Sequence, residues 1–68
     1  MSTFRVVQDG LQVARVDCAS RDQAMGDIVH YAMMYAQDGS VMIEEKVGRQ
    51  WKAYGRMERL AVGDADHA

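Results

Sequence analysis

The chain has 68 residues, of which 49% are hydrophobic, and a formal net charge of −2. This length allows one domain with a small core, because domains usually need about 50–200 residues, and it excludes a deep substrate pocket. A single cysteine, Cys18, excludes an internal disulfide, and no signal-peptide or membrane-spanning pattern occurs, so we expect a soluble cytosolic protein.

Two β-rich runs, 3–9 and 11–17, lie on either side of Gly10. The Asp-Gly pair between them is a favoured tight-turn dipeptide, so the two runs predict a β-hairpin. In the second run Val13 and Val16 fall on opposite faces of a regular strand. This indicates either a bulge or a strand with two apolar faces.

The hydrophobic period then changes to that of a helix. Ser20 stands three residues before Gln23, which is the spacing of a capping box. Apolar residues follow at helical spacing, namely Ala24, Ile28, Ala32, Tyr35 and Ala36. Gly39 is suited to the left-handed conformation that ends many helices. We predict a helix over about 21–37.

A second hairpin is predicted from the runs 41–47 and 49–56 around Gly48. Regular alternation places Trp51 and Ala53 on the helix side of the sheet, together with the apolar residues of the preceding strand. We therefore expect Trp51 to be buried against the helix and expect Trp51→Ala to unfold the domain.

These elements predict an α+β fold of the ββαββ kind, with a four-stranded, mainly antiparallel sheet and one helix packed on one face. Residues 1–57 would form this single domain. Residues 58–68 would form a C-terminal extension, with a short edge strand over 59–62 followed by a frayed tail.

The pattern of reactive side chains predicts neither a catalytic site nor a metal site. His30 and His67 lie far along the chain from Cys18, and no metal-ligand spacing occurs. A Cys18–His30 nucleophile pair is disfavoured, because Cys18 ends a strand where a small structural residue is usual. Glu44 and Glu45 would point to opposite faces of a strand. We expect no enzyme activity, no metal and no cofactor.

Positive charge is concentrated in the second hairpin, since residues 46–59 hold five of the eight basic residues. Alternation places a basic and aromatic stripe on the open sheet face, with an arginine at the turn. The predicted partner-binding residues are Lys46, Arg49, Lys52, Tyr54 and Arg56. Such a stripe can bind an acidic protein surface, or it can bind phosphates and stack on bases. Solvent-facing strand positions also favour these residue types without any partner.

The outer side of the helix is a second candidate surface. Its predicted partner-binding residues are Asp22, Asp27, His30 and Met34. An exposed methionine offers an adaptable apolar contact, and acidic residues could imitate DNA in a positively charged channel. A solvated helix face explains the same residues without a partner.

A set of residues between 19 and 54 follows a spacing found in a known family. The matching residues are Ala19-Ser20, Gln23-Ala24, Gly39, Val41-Met42, Glu45, Val47, Trp51 and Ala53-Tyr54. At these positions the chain resembles small phage-encoded anti-CRISPR proteins that inhibit type I surveillance complexes. The family has basic residues early in its helix, where this chain has Met25-Gly26-Asp27, so a helix interface is not carried over.

The resemblance implies a non-enzymatic inhibitor in the cytoplasm of a bacterial host. It would bind a protein subunit of a type I CRISPR-Cas effector complex and block target DNA recognition. Two other hypotheses remain open from the residues themselves. One is a small nucleic-acid-binding module, against which the acidic balance argues, and the other is a structural accessory domain or homodimer. No membrane partner is expected.

Overall fold

The first two strands form the predicted hairpin. The computed structural model describes residues 1–59, and strands β1 (Ser2–Gln8) and β2 (Leu11–Cys18) pair in antiparallel orientation. The turn between them has positive φ at Asp9 (54°) and Gly10 (79°). Positive φ at both central residues is the geometry of a type I′ turn, whose twist matches that of the strands.

Helix α1 (Arg21–Tyr35) is capped at both ends by local hydrogen bonds. The Ser20 hydroxyl accepts a hydrogen bond from the Gln23 amide at 3.4 Å, so the predicted N-terminal cap is confirmed. At the other end, Ala36 is the C-cap, and its amide donates to the Ala32 carbonyl at 2.8 Å. The helix thus ends two residues before the predicted boundary.

Strands β3 (Val41–Val47) and β4 (Gln50–Met57) form the second hairpin. Its two-residue turn has Gly48 in the first position with φ of 64°, where a type II′ turn needs glycine. The four strands form one antiparallel sheet in the order β2-β1-β3-β4, with the single helix on one face. The α+β fold of the ββαββ kind is therefore confirmed.

The core lies between α1 and the inner face of the sheet. Phe4, Val6 and Ile28 are fully buried side chains at its centre. The other buried residues are Val16, Ala24, Ala32, Ala36, Val41 and Ile43. Helix α1 contacts β1, β2 and β3 extensively but covers little of β4. The inner side of β4 is therefore only partly buried.

Each hairpin contains one bulge, and each bulge changes which residues share a face. In β2 the extra residue is Val13, since Val6 pairs with Ala14 and Val7 pairs with Gln12. Both Val13 and Val16 pack against the core, so the bulge, and not a strand with two apolar faces, explains their spacing.

In β4 the extra residue is Tyr54. Ile43 pairs with Gly55, whereas Glu44 pairs with Ala53, so the register shifts by one residue between these pairs. The predicted faces for residues 51–54 are therefore wrong, because regular alternation does not continue through a bulge. Trp51 and Ala53 lie on the open face, away from the helix, and Lys52 and Tyr54 lie on the helix side.

The predicted C-terminal edge strand falls mostly outside the described residues. Glu58 and Arg59 belong to no strand. The remainder of the predicted strand, 60–62, and the predicted frayed tail, 63–68, lie outside the part of the chain that the structure describes.

Candidate functional site

The four basic residues predicted as partner contacts are distributed around the second hairpin. Lys46 lies on the open face opposite Trp51, and Arg56 lies on the same face opposite Met42. Lys52 lies on the helix side, and Arg49 is in the turn. The predicted single stripe is therefore split between two faces. All four side chains are exposed, and within residues 1–59 none of them forms a salt bridge.

The two carboxylates of β3 are already bound by arginines from outside the hairpin. On the open face, Arg5 Nη2 lies 2.6 Å from Glu44 Oε1. On the helix side, Arg21 donates two hydrogen bonds to Glu45, at 2.9 and 3.1 Å. These bonds lower the pKa of Glu45 and raise the pKa of Arg21. The acids of β3 therefore form their salt bridges with these arginines and not with the hairpin's own cations.

Trp51 is the centre of a cationic cluster on the open face. Cζ of Arg5 lies 4.2 Å from the centroid of the indole ring. Cζ of Arg15 and Nζ of Lys46 lie 5.9 and 6.0 Å from it. These distances are within the range of cation–π attraction. The Trp51 side chain is partly buried, and it lies on the open face, away from the helix.

Arg15 is held beside this cluster by a carboxylate on its own strand. Its Nε lies 3.1 Å from Oδ2 of Asp17. The hydroxyl of Thr3 donates to the same carboxylate at 2.6 Å. These two hydrogen bonds, with that from Thr3 the larger cause, lower the pKa of Asp17. The open face is thus ordered by polar contacts across β1 and β2.

Regular alternation along the strands does not predict the roles of Trp51, Arg5 and Arg15. One signal could have revealed them. Gly55 is an isolated glycine within the β4 pattern, and such a glycine often marks a bulge. A bulge next to Gly55 reverses the faces of the preceding residues, which moves Trp51 onto the open face beside the two arginines.

Tyr54 belongs to the helix side, apart from Lys46 and Arg56. Its ring meets that of Phe4 edge-on, with 5.8 Å between the centroids. Its hydroxyl donates to Met25 Sδ at 3.2 Å. Tyr54 nevertheless remains 47% exposed, because α1 covers little of β4. The residue therefore presents a positioned, half-exposed aromatic ring next to Lys52.

The four helix residues predicted as secondary contacts are all exposed, and three of them, Asp27, His30 and Met34, follow at spacings of three and four on one side of α1. Asp22 and Asp27 are five positions apart, which separates them by roughly 140° around the helix. Asp27 Oδ2 accepts a hydrogen bond from the Cys18 thiol at 3.7 Å, and the rings of His30 and Tyr31 lie 6.1 Å apart. Met34 is 55% exposed. Three of the four side chains thus share one side of α1, while Asp22 lies apart from Asp27.

The Cys18 thiol has the properties of a structural residue. Burial of the sulfur is the main cause of a raised pKa, and the nearby Asp27 carboxylate raises this pKa further. A raised pKa keeps the thiol protonated at neutral pH, whereas a nucleophilic cysteine needs the thiolate. Within residues 1–59, no group of three or more His, Cys, Asp and Glu side chains is arranged to hold a metal ion.

Two further findings concern membrane spans and similarity to known proteins. No helix among the described elements is long and apolar enough to cross a membrane. Comparison of the chain with protein-family models, with curated proteins and with solved structures finds no match.

Proposed function

We propose that this chain is a non-enzymatic inhibitor that binds a protein subunit of a type I CRISPR-Cas effector complex and blocks its recognition of target DNA. It would act in the cytoplasm of the bacterial host. The observation that carries the proposal is the pair of cations, Arg49 and Lys52, that form no salt bridge within residues 1–59. The resemblance of residues 19–54 to type I anti-CRISPR proteins supplies the identity of the partner.

The helix side of the second hairpin offers the better protein interface. Arg49 and Lys52 form no salt bridge within residues 1–59, and the half-exposed ring of Tyr54 lies on the same side as Lys52. Tyrosine and arginine are enriched among residues that dominate binding energy at interfaces. An aromatic ring on the same side of the sheet as an exposed lysine is therefore suited to an acidic, partly apolar protein surface.

The charge distribution favours a protein partner for this side of the molecule. The chain carries a net charge of −2, while the cations at the second hairpin are locally concentrated. Such a bipolar surface can orient against a complementary patch on a protein. Binding by so small a domain would inhibit by occluding the DNA path.

The test is co-purification followed by a DNA-binding measurement. The tagged chain is mixed with a purified type I effector complex and retrieved, and bound subunits are identified by mass spectrometry. The complex, with and without the chain, is then titrated with labelled target DNA. We expect retention of the complex and loss of DNA binding when the chain is added first. Co-purification with no effect on DNA binding would contradict the inhibitory mechanism.

A further inference from the structure

The open face of the sheet carries a second concentration of positive charge, separate from the helix side. It contains four cations and two carboxylates on the described strands: Arg5, Arg15, Lys46, Arg56, Asp17 and Glu44. Each carboxylate is bound by an arginine of the same face. Lys46 and Arg56 have no salt bridge within residues 1–59, so the face retains excess positive charge.

This positive charge surrounds an aromatic platform. Arg5, Arg15 and Lys46 come from three different strands, yet all lie within 4.2–6.0 Å of the Trp51 ring. An indole ring and a guanidinium group are both planar. Unpaired nucleic acid bases stack on aromatic side chains and on arginine planes, and lysines next to them contact phosphates.

We propose that this open face is a binding site for single-stranded nucleic acid. An unpaired base stacks on the Trp51–Arg5 pair, and phosphates of the same strand contact Lys46 and Arg56. Arg56 lies opposite Met42, and Met42 is four residues from Lys46 along β3. Roughly 13 Å therefore separates Lys46 from Arg56 along the strand direction. That separation lets the strand contact both cations at different phosphates.

The same observations favour nucleic acid over an acidic peptide at this face. An acidic peptide would gain only from cations, and two of the four already have carboxylate partners in Asp17 and Glu44. It would leave the Trp51 ring beside Arg5 unused. The site is independent of the inhibitor proposal, because Arg49, Lys52 and Tyr54 lie at the turn or on the opposite side of the sheet.

Trp51 itself reports on the site, because it is the only tryptophan in the chain. The full chain is titrated with oligothymidylate and oligouridylate of about 12 nucleotides, a length within known single-strand site sizes. We expect saturable quenching of tryptophan fluorescence, with affinity that falls as salt rises. The slope of log affinity against log salt should be about −0.7 for each phosphate contact.

Two lysines of the same hairpin provide a matched pair of variants. Lys46 and Lys52 are both exposed and lie on opposite faces. Lys46→Ala should weaken binding and make the salt slope shallower by about 0.7, while Lys52→Ala should leave both unchanged. Trp51→Leu, followed by anisotropy of a labelled oligonucleotide, should weaken binding by roughly tenfold, and Trp51→Phe should retain most of it. Circular dichroism verifies that each variant is folded.

Three outcomes would overturn the proposal. The first is the absence of both quenching and anisotropy change up to the solubility limit of the protein. The second is an equal loss of affinity in Lys46→Ala and Lys52→Ala, which would indicate charge attraction without an open-face site. The third is equal quenching by oligoglutamate of the same length, which would assign the face to acidic protein segments.

Discussion

The guanidinium of Arg5 lies over the indole ring of Trp51, with 4.2 Å between Cζ and the ring centroid. The two residues belong to β1 and β4, which are not neighbours in the sheet, because β3 lies between them. Glu44 of β3 binds the same guanidinium at 2.6 Å. The contact therefore links three strands across the open face, and it allows a direct test of what Trp51 contributes.

Replacement of Trp51 should weaken the domain without unfolding it. Trp51→Ala removes a half-buried ring and its cation–π contacts, so we expect the free energy of unfolding to fall by about 1–2 kcal/mol. Phe4→Ala should cost about 3–5 kcal/mol, because Phe4 is fully buried. Urea denaturation followed by circular dichroism measures both. Equal losses in the two variants would show that Trp51 is a core residue.

Acid should destabilise the domain through the Arg21–Glu45 pair. The folded-state pKa of Glu45 lies below its ordinary value of 4.5, mainly because Arg21 hydrogen-bonds the carboxylate. A lowered folded-state pKa stabilises the fold above the ordinary value, and this stabilisation is lost as the pH falls through the folded-state pKa. Asp17 acts in the same direction. Unfolding should therefore become easier below about pH 4.5.

Glu45→Gln isolates this contribution. The variant should have a smaller free energy of unfolding at neutral pH and should lose less of it between neutral pH and about pH 3. Glu58→Gln is the control, because Glu58 has no salt bridge to any described residue. Identical pH profiles for Glu45→Gln and the unmodified chain would contradict the role of the pair.

Gly26→Ala should stabilise the domain. Gly26 is exposed within α1, and an added Cβ meets no atom within 4 Å. Alanine is favoured over glycine inside a helix by about 1 kcal/mol, which corresponds to a rise in melting temperature of roughly 4–8 °C for a domain of this size. Gly48→Ala should have the opposite effect, because Gly48 has φ of 64°. Thermal unfolding of both variants checks the two directions, and a lower melting temperature for Gly26→Ala would refute the prediction.

Charge reversal distinguishes the two surfaces that could bind the effector complex. The Arg49→Glu/Lys52→Glu variant should no longer co-purify with the complex or block DNA binding, because it places negative charge against an acidic patch. The Asp22→Lys/Asp27→Lys variant changes charge by the same magnitude on the helix and should retain both activities. Loss of both activities in the helix variant, with both retained in the hairpin variant, would show that the helix is the interface.

The succession of strands and helix along the chain could be predicted, because residues close in sequence determine where each element begins or turns. Asp9-Gly10 determines the first turn, Ser20 the start of the helix, and Gly48 the second turn, each within a few residues of its effect. Which side chains of β4 face the helix depends instead on one inserted residue, Tyr54. Its bulge places Trp51, Lys52 and Ala53 on the faces opposite to those that regular alternation predicts.

The candidate sites were less predictable, because their contacts join distant parts of the chain. Arg21 and Glu45 are 24 residues apart, and Arg5 and Glu44 are 39 apart. No local pattern indicates which arginine binds which carboxylate. The concentration of positive charge in the second hairpin was visible in the sequence, but which cations remain unpaired depends on these long-range contacts.

Both bulges lie in the outermost strands, Val13 in β2 and Tyr54 in β4. An outermost strand normally offers a continuous ladder of amide and carbonyl groups on which another chain can grow a strand, as in fibrils. Each bulge breaks that ladder, and Lys52 and Arg56 add repulsive charge along β4. Pairing of another copy's strand with either edge of the sheet, β2 or β4, is therefore disfavoured. A partner of this domain is therefore expected to be recognised through side chains and not through an added strand, and amyloid-like stacking of copies is disfavoured.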